Sequence, residues 1–315
     1  MNTNREAKKS YRDLSSMLYV LGREGCLNWL SDALYLKILY RLKMGKPLDI
    51  EKPATFNEKI QWLKLYDHNP LYTTLVDKYA VKRFVSAEIG EEYVTPTYAS
   101  WSRAEDIDLN VLPERFVLKT NHDCGGIAIC RKKSEFNFSE AKRILKEHMN
   151  RNYYWSSREW PYKNVKPLIF AEEYIEPVEH ISEEGLPEGL VDYKFYCFGG
   201  VPQFLYISKG LEVHETARIS FLNTDWTFAQ FHRNDYFPFE ELPSKPESYD
   251  EMLQLASVLS ANMPFVRVDF FEYEHKPRFS EFTLHPCSGF MGFQPVEWDR
   301  RIGELLDLTY MVQQD

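Results

Sequence analysis

Two short runs near the C-terminus constrain this chain more tightly than anything else in it. Phe265-Val-Arg-Val-Asp-Phe-Phe271 and Arg278-Phe-Ser-Glu-Phe-Thr283 are rich in the β-branched and aromatic residues that suit a pleated, half-buried surface. Paired as a hairpin, they deliver Arg267, Asp269 and Glu281 to one locus. Two carboxylates beside a guanidinium can hold Mg²⁺ and the phosphates of a nucleotide. The same trio can equally be an ion pair on a sheet, and for an isolated pair of strands that is the simpler interpretation. The rest of the chain has to decide.

At 315 residues the chain is long enough to bury a sizeable core in one large domain or two to three lobes. Its net charge of −9 argues against nucleic acid as the main partner, because phosphate-backbone binding needs a basic face. The five cysteines are scattered, with no Cys-x-x-Cys pair, so neither a zinc site nor a disulfide framework is indicated. No apolar run approaches the roughly 20 residues that span a bilayer, and no signal-peptide pattern opens the chain. A reduced, cytoplasmic protein is the expectation.

The first fifty residues have a helical pattern. Ser31 to Met44 places Leu34, Ile38 and Leu42 on one stripe among Lys37, Arg41 and Lys43, and Gly45-Lys-Pro47 stops it. Such a helix either packs on its own domain or makes a weak contact with a membrane surface. Thr55 and Glu58 have capping-box spacing ahead of Ile60–Leu65. A further helix is expected over Leu75–Val85, and one over Ser139–Asn150. Strands are expected at Phe116–Lys119, Ile127–Cys130, Pro167–Ile175, Asp192–Phe198, Gln203–Ser208 and Ala217–Asn223. Residues Glu179–Gly189 and Phe237–Tyr249 look like loops, and a helix over Asp250–Ala261 leads into the carboxylate hairpin. Helices and strands in this order predict an α+β protein with antiparallel sheets.

Between the strands at Phe116 and Ile127 lies Lys119-Thr-Asn-His-Asp-Cys-Gly-Gly126. A lysine at a strand end followed by paired glycines can wrap phosphates, since glycine lets backbone N–H groups approach an anion. It is not a P-loop, and alone it is an ordinary hairpin loop. His122 and Asp123 are expected to be solvated loop residues. Glu172-Glu-Tyr-Ile175 ends a strand with acidic side chains and free backbone groups, as an adenine-binding hinge would. In Asp192-Tyr-Lys194, alternation puts Asp192 and Lys194 on one side, either for ribose and phosphate contacts or as an ordinary ion pair.

The order of these pieces is more specific than any one of them. A lysine near a helix start, a lysine before a glycine loop, an acidic hinge, Asp-x-Lys, then Arg-x-Asp and Glu-x-Thr together resemble the ATP-grasp superfamily over about Pro53 to Leu308. The finer resemblance is to the TupA-like family, named for teichuronopeptide biosynthesis. It is carried by Thr55-Phe-Asn-Glu-Lys-Ile-Gln-Trp62, Asp77-Lys-Tyr79, Phe116-Val-Leu-Lys119, Asp192-Tyr-Lys-Phe195 and Arg267-Val-Asp269.

That resemblance implies two α+β lobes clamping ATP, with an N-terminal helical extension. The implied division is a helical region over 1–66, an N-lobe with its glycine-loop lid over 67–170, and a C-lobe with the metal site over 171–315. It makes Lys78 and Lys119 the phosphate lysines and Gly125 and Gly126 the lid. Glu172, Glu173, Tyr174 and Ile175 become the adenine hinge. Asp192 and Lys194 become ribose and phosphate contacts, with Lys209 a further basic position. Arg267, with Lys119, would stabilise phosphoryl transfer, and Asp269, Glu281 and Thr283 would hold Mg²⁺. Many ATP-grasp enzymes have Asn where Thr283 stands.

The implied activity is ATP- and Mg²⁺-dependent ligation of a carboxylate to an amine through an acyl-phosphate. By family analogy it joins an amino acid or peptide to a cell-surface polysaccharide precursor. A sugar kinase and a non-catalytic or glycosyltransferase-associated protein of polysaccharide biosynthesis are the alternatives. The aromatic cluster Tyr153-Tyr-Trp155 with Trp160 is either a sugar-stacking surface or packing.

Overall fold

The structure, a computed structural model, describes residues 14–176, 191–209 and 217–311. Its frame is two antiparallel sheets. A four-stranded sheet runs in the order β1-β4-β2-β3 and a five-stranded sheet in the order β10-β9-β5-β6-β7. The strands of the first are β1 (Thr97–Trp101), β2 (Phe116–Thr120), β3 (Ile127–Cys130) and β4 (Ile169–Glu172). Those of the second are β5 (Asp192–Phe198), β6 (Val201–Lys209), β7 (Arg218–Asn223), β9 (Phe265–Tyr273) and β10 (Lys276–Thr283). The expected α+β class is what is found. β1 was not expected; Thr97-Tyr-Ala-Ser-Trp101 is a half-exposed edge strand with weak alternation.

Each sheet follows the period of two. In the small sheet Phe116, Leu118, Cys130, Ile169 and Ala171 turn to a core closed by Leu145 of α6 (Phe138–Met149). The alternate residues Val117, Lys119, Ile127, Ile129, Phe170 and Glu172 share the other face. In the large sheet Phe195, Cys197, Val266, Val268 and Phe270 pack against α8 (Tyr249–Leu259), and Lys194, Arg267 and Asp269 occupy the opposite side. A β-bulge at Ser280 shifts the β9–β10 register, so that Phe279 opposes Phe270 while Glu281 opposes Asp269. The extra residue turns Glu281 onto the face that carries Asp269 and Arg267, as bulges beside active sites often do.

The N-terminal region is helical as expected: α1 over residues 14–23, α2 (Asp32–Met44) and α3 (Phe56–Tyr66). Thr55 and Glu58 form the anticipated capping box. The single helix expected over Leu75–Val85 is instead two, α4 (Leu71–Val76) and α5 (Ala80–Ile89). Asp77 breaks it: its backbone is extended and its Oδ1 accepts from the N–H groups of Tyr79 and Ala80. The strand expected over Pro167–Ile175 keeps only Ile169–Glu172, because the chain leaves the ladder at Glu173, whose N–H donates to Pro96 O. Further elements are α7 (Tyr154–Ser157), the two-stranded pair β8 (His232–Arg233) and β11 (Phe293–Gln294), and α9 (Trp298–Leu305). The acidic loop expected at Glu179–Gly189 lies outside the described residues.

Candidate active site

A cleft of about 290 Å³ lies between the two sheets. One wall is the polar-apolar face of the small sheet, with Val117, Lys119, Ile127, Ile129, Phe170 and Glu172. Lys78 and Lys82 enter from the α4–α5 break and from α5, and Phe271, Phe279 and Glu281 close it from the large sheet. Glu173, Tyr174 and Ile175 form its rim, where the strand has ended and the backbone is no longer committed to the sheet. Ile127 and Ile129, each 42% exposed, are apolar residues that line this space.

Glu172 is buried at the centre of that wall. It forms ion pairs with Lys119 and with Lys82, the latter at 2.6 Å. Burial alone would push its carboxyl up, but Lys119 and Lys82 outweigh this and hold it below the usual carboxylate range. Lys82 also donates to Thr95 O at 2.8 Å and Thr97 Oγ1 at 2.9 Å. Lys78 donates from its ammonium to Asp123 O at 2.6 Å, which ties the cleft to the β2–β3 loop.

In that loop the structure corrects the sequence-based expectation that His122 and Asp123 are solvated. Both are buried. Asp123 accepts from Thr120 Oγ1 and contacts His148 Nδ1 of α6, and His122 lies between Asn121 Oδ1 and Arg151 O. Gly125 has φ +94°, in the left-handed region. Gly126 is required for space instead: a Cβ there would run into the Thr120 hydroxyl and His148.

On the large sheet Arg267, Asp269 and Glu281 are together, and they are not a surface pair. Asp269 is fully buried, and Arg267 donates to it through Nε at 2.7 Å and Nη2 at 2.5 Å. Lys194, directly opposite in the register, donates to its Oδ2 at 2.8 Å and lies 3.2 Å from Asp192. Burial pushes against the Asp269 charge, yet Arg267 and Lys194 hold its carboxyl below the ordinary range. The Asp192 carboxyl is raised, first by burial. Arg267 also reaches Glu281 Oε1 at 3.0 Å and Tyr206 Oη at 3.4 Å, and Thr283 Oγ1 is 3.3 Å from Glu281 Oε1. Lys209 closes β6, and its side chain lies outside the described residues.

A family model described as TupA-like ATP-grasp matches residues 58–307. The chain belongs to the TupA-like ATP-grasp family. No curated protein matches it. Several solved structures are similar. D-alanine–D-alanine ligase from Bacillus anthracis complexed with ATP is 14% identical, over 76% of this chain and 67% of that one, with a TM-score of 0.43. The same ligase from Helicobacter pylori is 13% identical over 80% and 68% of the two chains, TM-score 0.43. The ATP-grasp ligase PsnB complexed with minimal precursor, Mg and ADP is 8% identical over 93% and 74%, TM-score 0.41.

Two features of this TupA-like ATP-grasp chain escaped sequence reasoning. Lys82 sits four residues after Lys78, and within the helix expected over Leu75–Val85 that i, i+4 spacing was the available signal, although Lys78 lies in the break before α5. The second is a buried polar stripe on α3. Asn57 exchanges hydrogen bonds with the backbone of Met291, Gln61 donates to Ser288 O and Gly289 O, and Lys64 donates to Ser288 O at 2.6 Å and Ser157 O at 3.1 Å. Together they fix the turn after β10, where Cys287, Ser288 and Gly289 all have positive φ. Beneath it Glu159 contacts His285 Nδ1 at 3.4 Å and accepts from Ser157 and Ser288. Of the aromatic cluster, Tyr154 is buried and bonded to Asp32, Trp160 stacks on His68, and Tyr153 packs on Tyr162.

Proposed function

We propose that this protein is an ATP-grasp ligase that joins a carboxylate to an amine through an acyl-phosphate, with release of ADP. The observation that carries this is one cleft with Lys78, Lys82 and Lys119 on one side and Glu281 on the other, Glu281 being ion-paired to Arg267 of the buried Arg267–Asp269 pair. In this account residues 1–66 are a helical region, 67–170 the N-lobe and 171–315 the C-lobe. Phe170, Ile127, Ile129 and Phe271 supply an apolar slot for adenine, with the hinge segment Glu172 to Ile175 along its edge. Asp192 and Lys194 meet the ribose and phosphate side, with Lys209 beyond them.

Lys119 and Lys78 donate to the phosphate oxygens, and the phosphates take over from Glu172 as the counter-charge of Lys119. The loop at Gly125 and Gly126 covers them and excludes water from the activated intermediate. Arg267 faces the transferring phosphoryl group, whose transition state is stabilised mainly by positioning and charge. A substrate carboxylate oxygen bonds to the γ-phosphorus as the bond to the bridging oxygen breaks and ADP leaves. An amine then bonds to the acyl carbon and phosphate departs.

Mg²⁺ usually takes one or two carboxylates and completes its shell with phosphates and water. Glu281, with a partly exposed carboxylate, and the Thr283 hydroxyl fit that role, and both are hard oxygen donors. Asp269 would join them only by giving up a bond to Arg267 or Lys194. Bound there, the metal would neutralise charge on the phosphates. Among the described residues no group of three or more His, Cys, Asp or Glu side chains could hold a metal by itself.

The substrates we propose are an amino acid or peptide and a cell-surface polysaccharide precursor, joined in the cytoplasm. Among the described residues no helix is long and apolar enough to cross a membrane. The test is ADP release from Mg·ATP against amino acids paired with uronic-acid-containing glycans, with mass spectrometry of the product. Dependence on both partners and a mass gain corresponding to an amide support the proposal. A phosphorylated product without free phosphate makes the protein a kinase instead.

A further inference from the structure

The N-terminal helices expose a face that a solvated helix would not carry. On α2 the buried residues are Tyr35, Leu36, Leu39 and Tyr40. The outward stripe is Leu34, Lys37, Ile38 and Arg41, at i, i+3, i+4 and i+7, so two large apolar residues alternate with two cations on one exposed surface. On α1 the outward residues Leu14, Met17 and Val20 are exposed, while Leu18 turns inward to the cluster around Tyr35. Tyr35 Oη bonds to Leu18 O, which joins the two helices. Between them Trp29 is 78% exposed, the most exposed large apolar side chain described.

We infer that this face docks on an anionic lipid surface. Charge sets the partner's sign. The first 44 residues carry eight Lys and Arg against four Asp and Glu, in a chain with 38 against 47 overall. The acidic side chains described here are occupied: Asp32 pairs with Arg158 and accepts from Tyr154, and Glu24 pairs with Arg23. Lys37 and Arg41 have no acidic partner among the described residues. The alternation sets the partner's type. A protein interface core disfavours lysine, whereas at a bilayer boundary apolar residues enter the acyl edge while Lys and Arg extend to the headgroups. Trp29 is prepared for such a site, because its indole N–H already donates to Cys26 O at 3.2 Å and needs no water. The net negative charge of the remaining chain would turn the cleft-bearing lobes away from the same surface.

The experiment is co-sedimentation of the full chain with vesicles of pure phosphatidylcholine and of phosphatidylcholine mixed with phosphatidylglycerol, at low and high salt. The chain should bind the mixed vesicles only, release at high salt, and show a blue shift of tryptophan emission that Trp29→Phe removes. Lys37→Glu with Arg41→Glu should weaken binding at least ~10-fold, given about fivefold per cation near an anionic surface. Leu34→Asn with Ile38→Asn should weaken it similarly. All four positions are exposed, so circular dichroism and the thermal midpoint should not change. Absence of binding to either vesicle overturns the inference, as does binding that both double variants retain. A concentration-dependent dimer by light scattering, lost in the Leu34/Ile38 variant and without vesicle binding, assigns the face to a second copy and also overturns it.

Discussion

Asp269→Asn keeps the shape of the side chain and removes a charge on which two buried cations depend. Arg267 approaches Asp269 at 2.7 and 2.5 Å and Lys194 at 2.8 Å, with the carboxylate wholly buried. Removing one partner of a buried pair costs about 3–5 kcal/mol, because an uncompensated charge stays behind. Here Glu281 still reaches Arg267 at 3.0 Å and Asp192 still reaches Lys194 at 3.2 Å. Those contacts place the expected loss near the lower end, about 3 kcal/mol. Urea unfolding followed by tryptophan fluorescence measures it.

The pH dependence supplies a second check. Burial opposes the Asp269 charge, but Arg267 and Lys194 hold the folded carboxyl below its ordinary value. A depressed carboxyl contributes stability that is present above the unfolded value of about 3.9 and lost as pH falls through the folded value. The gap between wild type and variant should therefore stay flat from neutral pH to about 4 and close in stronger acid. A Lys194→Met cycle should show coupling of at least about 1 kcal/mol. An Asp269→Asn protein as stable as wild type at neutral pH, or a gap that widens in acid, would refute the ion-pair account.

Three further outcomes follow from the same structure. Burial lowers Lys64 to about 7, so between there and about 10.4 unfolding takes up a proton and stability rises with pH. Lys64→Met should abolish that rise in urea titrations, and parallel profiles would contradict it. Gly126→Ala should cost about 1–3 kcal/mol by overpacking against Thr120, partly recovered by Thr120→Ala; an unchanged thermal midpoint would show that the loop is not packed this way. Glu172→Gln should destabilise the protein without nucleotide by about 2–3 kcal/mol, with the deficit shrinking in saturating Mg·ATP as phosphates replace Glu172 beside Lys119. An equal deficit with and without nucleotide would count against that exchange.

Most of the longer strands were legible as β-rich apolar runs, and Asp192–Phe198 is found where it was expected, whereas the weakly alternating β1 was not. The charged positions of the hairpin were also legible, but their environment was not. Nothing in Arg-x-Asp and Glu-x-Thr announces a bulge at Ser280 or says that Asp269 is buried to its oxygens. The break at Asp77 was hidden by continuous apolar spacing through Leu75 to Val85; a side-chain turn overrode the pattern. His122 and Asp123 looked like solvated loop because polarity was all the sequence offered, while His148 of α6 and the Arg151 carbonyl just after it supply their partners from far along the chain. The α3 stripe is of the same kind. Asn57, Gln61 and Lys64 have ordinary helical spacing, and only the fold shows that the backbone beyond β10 is what they bind.

Calorimetric titration with Mg·ATP is the most direct test of the central claim that the cleft between the two sheets holds the nucleotide. One site per chain is predicted for the wild type, with Lys119→Ala and Glu281→Ala each weakening binding by at least ~10-fold, given about 1.5–3 kcal/mol for a hydrogen bond to a charged group. Wild-type protein that takes up no Mg·ATP, or variants that bind it as tightly as wild type, would contradict the account.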